Sequence, residues 1–122
     1  MVDRKQGIER SERVRKREDF IRLFKSGTRY HSPQYTLVVA ENGLGLLRFA
    51  ILVSKRIGNA VVRNYEKRLC REVFRREKEK LRTGYDFLMI VKCPTDDFQK
   101  SSEQLKDLLV KAFGSISTEC VI

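Results

Sequence analysis

The sequence predicts one compact α+β domain, a single sheet covered by helices, and three observations carry that prediction. Strand-like apolar runs and helix-like apolar stripes follow one another in the order α-β-β-α-β-α, with room for one more strand near residues 28 to 33. The chain, 122 residues long, has the length of one ordinary domain. Its hydrophobic fraction of 41% suffices for a single modest core, and no repeat, low-complexity tract or linker divides it.

Taken in order, residues 1 to 15 are dense in mixed charge and poor in apolar side chains, and read as a flexible basic arm before a domain spanning 16 to 116; residues 117 to 122 read as a short tail. A short amphipathic helix is expected over residues 16 to 25, with Phe20, Leu23 and Phe24 on one side. Ser26-Gly27 should stop it, glycine tolerating the left-handed conformation common just past a helix end. Two strands follow, over residues 35 to 40 and 46 to 54, with Asn42-Gly43 between them as the turn of a hairpin. The pattern then becomes helical from about residue 59 to 82 and ends at Gly84. Residues 85 to 91 form a continuous apolar run closed by Pro94, as a buried strand would. Last, Leu105, Leu108, Leu109, Ala112 and Phe113 fall at helical spacing and mark the stripe of a C-terminal helix. General topology rules make the strand-helix-strand crossover right-handed.

Lysine and arginine number 26 against 16 acids, a net charge of +10 and a pI near 9.9. That excess draws polyanions: nucleic acid, anionic membrane or an acidic protein. Membrane is the weakest of the three, because no stretch approaches the roughly 20 apolar residues of a spanning helix, and the N-terminus lacks the apolar core of a secretory signal. The cysteines, Cys70, Cys93 and Cys120, are odd in number and far apart. They suit neither a disulfide framework nor a zinc site and fit small buried hydrophobes in a reducing, cytoplasmic setting.

The charge concentrates on the central helix. Arg63, Lys67, Arg71 and Arg75 recur every four residues, each stepping only about 40° from the last, and so form a slowly drifting cationic ridge. Val61, Tyr65, Leu69 and Val73 repeat at the same spacing about 200° away and are expected to face the sheet. On an ordinary solvated helix face, acids alternate with bases as i, i+4 pairs. Here residues 63 to 71 hold four bases and one acid, Glu66; only from Glu72 onward does the balance even out. The first half therefore calls for an external anion, whereas the second half reads as scaffold. Upstream, Lys55-Arg56-Ile57-Gly58-Asn59 offers a tight turn, an N-cap and free backbone N–H groups beside two full positive charges.

These residues carry a resemblance. Gly58-Asn59-Ala60-Val61-Val62-Arg63-Asn64, then Lys67-Arg68-Leu69 and Arg71-Glu72, resembles the signature of the bacterial ribonuclease P protein subunit; Glu18-Asp19-Phe20, Phe24-Lys25 and Gly27 resemble that family's opening helix. The likeness implies a small partner of a large catalytic RNA that removes the 5′ leader from precursor tRNA. It implies that the chemistry and the Mg2+ ions belong mainly to the RNA, with no metal bound by the protein alone, and that no membrane or further protein is required. By position, Lys55, Arg56, Asn59, Arg63, Asn64, Lys67, Arg68 and Arg71 would contact RNA. Phe20, Phe24 and Tyr35 would line a cleft for the single-stranded leader, where bases stack on aromatic rings with little regard to sequence. For Phe20 and Phe24, simple core packing is the competing reading. The likeness also implies a left-handed crossover in a ribosomal protein S5 domain 2-like fold. One departure stands out: where the family usually has Arg-Asn-Arg, Tyr65 and Glu66 follow Arg63-Asn64 here, losing one charge and placing an acid close to the expected RNA face.

Three other functions compete. A ribosomal or general RNA-binding protein would share the basic helix without needing Phe20, Phe24 and the Gly58-Asn59 turn together. A self-sufficient metal nuclease needs clustered carboxylates, yet Asp96-Asp97 is the only adjacent aspartate pair and His31 the only histidine. A DNA-binding reading lacks helix-turn-helix spacing.

Overall fold

Alternation along the strands and burial of the apolar side chains position the elements. The computed structural model describes residues 13–14, 16–78, 81 and 83–121, with side chains described to residue 112. Its elements are α1 (Arg17–Ser26), β1 (Thr28–His31), β2 (Tyr35–Glu41), β3 (Arg48–Val53), a 3-10 turn (Lys55–Ile57), α2 (Ala60–Glu77), β4 (Tyr85–Val91) and α3 (Phe98–Val121). The extra strand anticipated near residue 30 is β1. The helix expected to reach residue 82 ends at Glu77, and α3 runs through the stretch expected as a tail. Among the described residues, no helix is long and apolar enough to cross a membrane.

The sheet order is β1-β2-β4-β3. β1 pairs antiparallel with β2, β2 antiparallel with β4, and β3 parallel with β4 in the register Phe49↔Phe87. The expected β2–β3 hairpin is therefore a correction: β4 lies between them, and the hairpin is β1–β2. Asn42-Gly43 makes no two-residue turn because the segment after β2 reaches across to the start of β4. There Asn42 N–H donates to Gly84 (2.9 Å) and Gly84 N–H to Leu46 (2.8 Å). A strand as apolar as β4 gains most at the centre, paired on both edges and covered on both faces.

One face of the sheet holds the larger core. Tyr35, Leu37 and Val39 of β2, Phe49 of β3, and Phe87, Met89 and Val91 of β4 pack there against Leu69, Cys70, Val73 and Phe74 of α2 and against Leu105, Leu108, Leu109 and Ala112 of α3. The Phe49 and Phe74 rings stack at 3.9 Å between centroids. Each Val, Leu, Phe or Met among them contributes about 1.5–3 kcal/mol on burial. The α3 stripe is as expected, although the side chain of Phe113 lies outside the described residues. On the other face, Leu23 of α1 and Val14 cover Val38 and Leu88, with Phe20, Ala40, Ala50 and Ile90 at the margins. Val14 N–H donates to Phe49 O (3.0 Å) and Arg13 bridges the same residue. The fold thus takes in at least Arg13 and Val14 of the stretch read as an arm.

Two glycine expectations divide. Gly27 is extended (φ −71°, ψ 148°), not left-handed. Glycine is needed there because a Cβ would lie 2.4 Å from Val38 Cγ1 and 2.5 Å from Leu23 O. Gly84, by contrast, has φ 87°, which favours glycine. Of the cysteines, Cys70 is buried and its thiol pushed up by burial, whereas Cys93 is exposed, against expectation.

Candidate nucleic-acid interface

The turn before α2 is built to present charge. Ile57 is buried and anchors the 3-10 turn, leaving Lys55 and Arg56 exposed. Gly58 packs so closely on the helix that a Cβ would lie 2.9 Å from Val62 Cβ. Asn59 is the N-cap, as expected: its side-chain oxygen accepts from Val62 N–H at 3.0 Å, and its carbonyl accepts from Arg63 N–H at 2.9 Å. The Arg63 guanidinium turns back to donate to Gly58 O (3.4 Å), which holds it beside the helix start.

From there the cations spread over the outer side of α2. Asn64, Arg68 and Arg71 are exposed, and Arg63 and Lys67 are half-buried on one flank. Among the described residues, none of Lys55, Arg56, Arg63, Lys67, Arg68 and Arg71 forms a salt bridge with an acid. The second half of the helix behaves differently. Glu72 accepts from Arg75 Nε (3.2 Å) and pairs with Arg76 (3.4 Å), and the Arg75 hydrogen bond is the main cause holding its carboxyl below the usual range. The division between an unneutralised first half and a balanced second half thus appears in the geometry.

Lys67 and Arg71 do not face open solvent alone. They form one wall of a groove of about 250 Å³ along the outer edge of β3, opposite Phe20, Val14 and Arg13. Phe20 serves both readings offered for it: half-buried, it packs on the smaller core and also lines the groove. Phe24, one turn further on α1, is 43% exposed and lies under the Arg29 guanidinium at 5.8 Å from ring centroid to carbon. Tyr35 is a correction. It is wholly buried on the opposite face of the sheet, its hydroxyl 3.4 Å from Thr95 Oγ1, and burial pushes its pKa up to about 12. Strand side chains alternate between faces, so Val38, not Tyr35, shares a face with Phe20.

Tyr65 and Glu66 exchange the places expected of them. Val61 is 75% and Tyr65 41% exposed, while Glu66 is buried at 1%. The Glu66 carboxylate accepts from both the backbone N–H and the hydroxyl of Thr95, each at 2.7 Å. It ties α2 to the β4–α3 loop and brings no repulsion to the outer face. A series stepping about 40° every four residues cannot stay on one side. Val61 and Tyr65 begin it in solvent, and only Leu69 and Val73 reach the core.

Sequence reasoning missed the device that seats α1 beside the groove. Asp86, wholly buried in β4, accepts from Arg48 (2.8 and 2.7 Å), Asn42 (2.9 Å) and Arg22, while Asp19 of α1 lies 3.3 Å from Arg48. A carboxylate inside an otherwise apolar strand was the available signal, because such a group needs partners. Asp97, of the adjacent aspartate pair, accepts from Gln99 and Lys100 N–H (3.0 and 3.3 Å) at the start of α3. His31 is exposed and pairs with Thr36 Oγ1 at 3.1 Å. Among the described residues, no three of His, Cys, Asp and Glu are grouped so as to hold a metal ion.

A single α+β domain whose unneutralised cationic helix borders an aromatic-walled groove has the surface of a polyanion-binding domain. The family model for Ribonuclease P matches residues 8–116. The ribonuclease P protein component of Syntrophus aciditrophicus is 37% identical over 114 residues, covering 92% of this chain and 96% of that protein. The one from Bacillus velezensis is 38% identical over 107 residues, covering 85% and 91%. Among solved structures, the RNase P protein of Thermotoga maritima matches with a TM-score of 0.69 at 34% identity, covering 80% of this chain and 94% of that one. The Staphylococcus aureus RNase P protein gives 0.67 at 28%, covering 87% and 94%. The chain belongs to the ribonuclease P protein family.

Proposed function

We propose that this chain, a ribonuclease P protein subunit, assists a catalytic RNA in removing the 5′ leader of precursor tRNA by holding RNA on α2 and the leader along the neighbouring groove. One observation carries the reading: Lys67 and Arg71, unpaired with any described acid, form the wall opposite Phe20. A single strand laid there meets the Lys67 ammonium and the forked Arg71 guanidinium for its phosphates and an aromatic ring for its bases. Neither contact reads sequence, which suits a subunit that handles many leaders.

The groove does not fit Mg2+. Its lining is cationic and apolar, and the buried carboxylate nearest in chemistry, Asp86, is saturated by Arg48, Asn42 and Arg22. In this reading the hydrolytic chemistry and its magnesium belong to the RNA, and the protein's part is to bind and to orient.

The purified chain alone is expected to leave precursor tRNA intact, and adding the cognate catalytic RNA should give cleavage at low magnesium, where that RNA alone is slow. Cleavage by the protein without RNA would overturn the proposal. Tight RNA binding without any stimulation of cleavage would return the chain to the class of general RNA-binding proteins.

A further inference from the structure

The opposite flank of α2 carries a second cleft that the leader groove does not use. Tyr65, Arg68 and Glu72 of α2 and Phe98 at the start of α3 surround about 260 Å³ of space, with buried Leu69 lining it as well. Both aromatic rings stand in solvent, Tyr65 at 41% and Phe98 at 57% exposure. Among the described residues neither meets another aromatic ring, and the Tyr65 hydroxyl has no hydrogen-bond partner. Two large exposed aromatics that line one cleft leave apolar area in water that a stacking partner would cover.

We propose that Tyr65 and Phe98 form a stacking cleft for one unpaired nucleobase of the RNA that lies on α2. The inference rests on the RNA-binding reading above. At about 260 Å³ the cleft has room for a single planar ring. Arg68 sits on its rim, unpaired with any described acid and on the same outer side as Asn64 and Arg71, so a base in the cleft leaves its phosphate against the cationic surface. The one acid of the lining, Glu72, is held by Arg75 and Arg76. Charge also selects the occupant: a second copy of a chain carrying +10 would bring these arginines against its own, whereas RNA neutralises them. Tyr65 thus exchanges an ionic contact for a stacking one.

The chain contains no tryptophan, so Tyr65→Trp in the full-length protein puts the only indole in the cleft and keeps a stacking ring. Two probes are titrated at low salt: an oligoadenylate of about ten nucleotides, within the range of single-strand site sizes, and an abasic strand of equal length and charge. Oligoadenylate should quench the indole while the abasic strand binds without quenching. Phe98→Ala, confirmed as folded by circular dichroism, should weaken oligoadenylate binding roughly tenfold, as truncating a stacking ring does, and leave abasic binding unchanged. Equal quenching by both strands would overturn the cleft, as would a fluorescence shift that follows protein concentration without RNA, the mark of self-association. If the indole ignores a bound strand while Arg63→Ala still lowers the salt dependence of binding, the cleft fails and the RNA-binding reading stands. If neither strand binds, both fail.

Discussion

Asp86 is the only charged residue of β4, and it persists there because donors reach it from a loop, a helix and a neighbouring strand. Burial pushes its pKa up, but the hydrogen bonds from Arg48, Asn42 and Arg22 outweigh it and hold the carboxyl below its ordinary value. Removing it leaves Arg48, its side chain only 14% exposed, without its main partner. Asp86→Ala should therefore destabilise the fold by about 3 kcal/mol, the low end for a broken buried pair because Arg22 keeps contact with water. The sign of the pH effect follows from the depressed pKa. The stability is fully present above the unfolded value of about 3.9 and is lost as pH falls through the lower folded value. Urea midpoints measured on descending from about pH 5 should drop for the native chain and change less for Asp86→Asn; parallel curves would refute this account. Glu66 shows the same rule on α2, where two Thr95 donors make burial tolerable.

At the scale of elements, the two halves of α2 should separate by experiment. If Arg63 and Lys67 meet phosphates, changing either to alanine should reduce the slope of log K against log salt by about one unit. Arg76→Ala should change it far less, because that arginine already faces Glu72. Equal effects at all three positions would mean that only net charge matters. The sequence exposed the ridge, the N-cap and the balance beyond Glu72 because each lies within a few consecutive residues. It misplaced Val61, Tyr65 and Glu66 because a helix read from periodicity alone has no fixed rotation about its axis; the sheet sets it. The Asn42-Gly43 turn failed for a related reason, since a loop specifies a hairpin only when no better strand competes for the edge.

For the molecule as a whole, β4 is the shared element. Its odd-numbered residues fill the larger core and Leu88 the smaller, so neither core persists without it. Unfolding should accordingly be one transition, with tyrosine fluorescence and far-ultraviolet circular dichroism giving coincident urea curves. A separate early loss of α1 would show that the smaller core is independent.

By itself the sequence determined the kind of protein this is: one α+β domain, a cationic helix whose first half lacks acids, a capped turn before it and a family signature, all carried by local chemistry. The tertiary structure alone decided which groups share a surface. It sent Tyr35 into the core, brought Phe20 opposite Lys67 and Arg71, and set Tyr65 beside Phe98. The physical reason is range: caps and periodicities act over a few residues, whereas strand order and helix rotation are settled by burial between segments far apart in the chain.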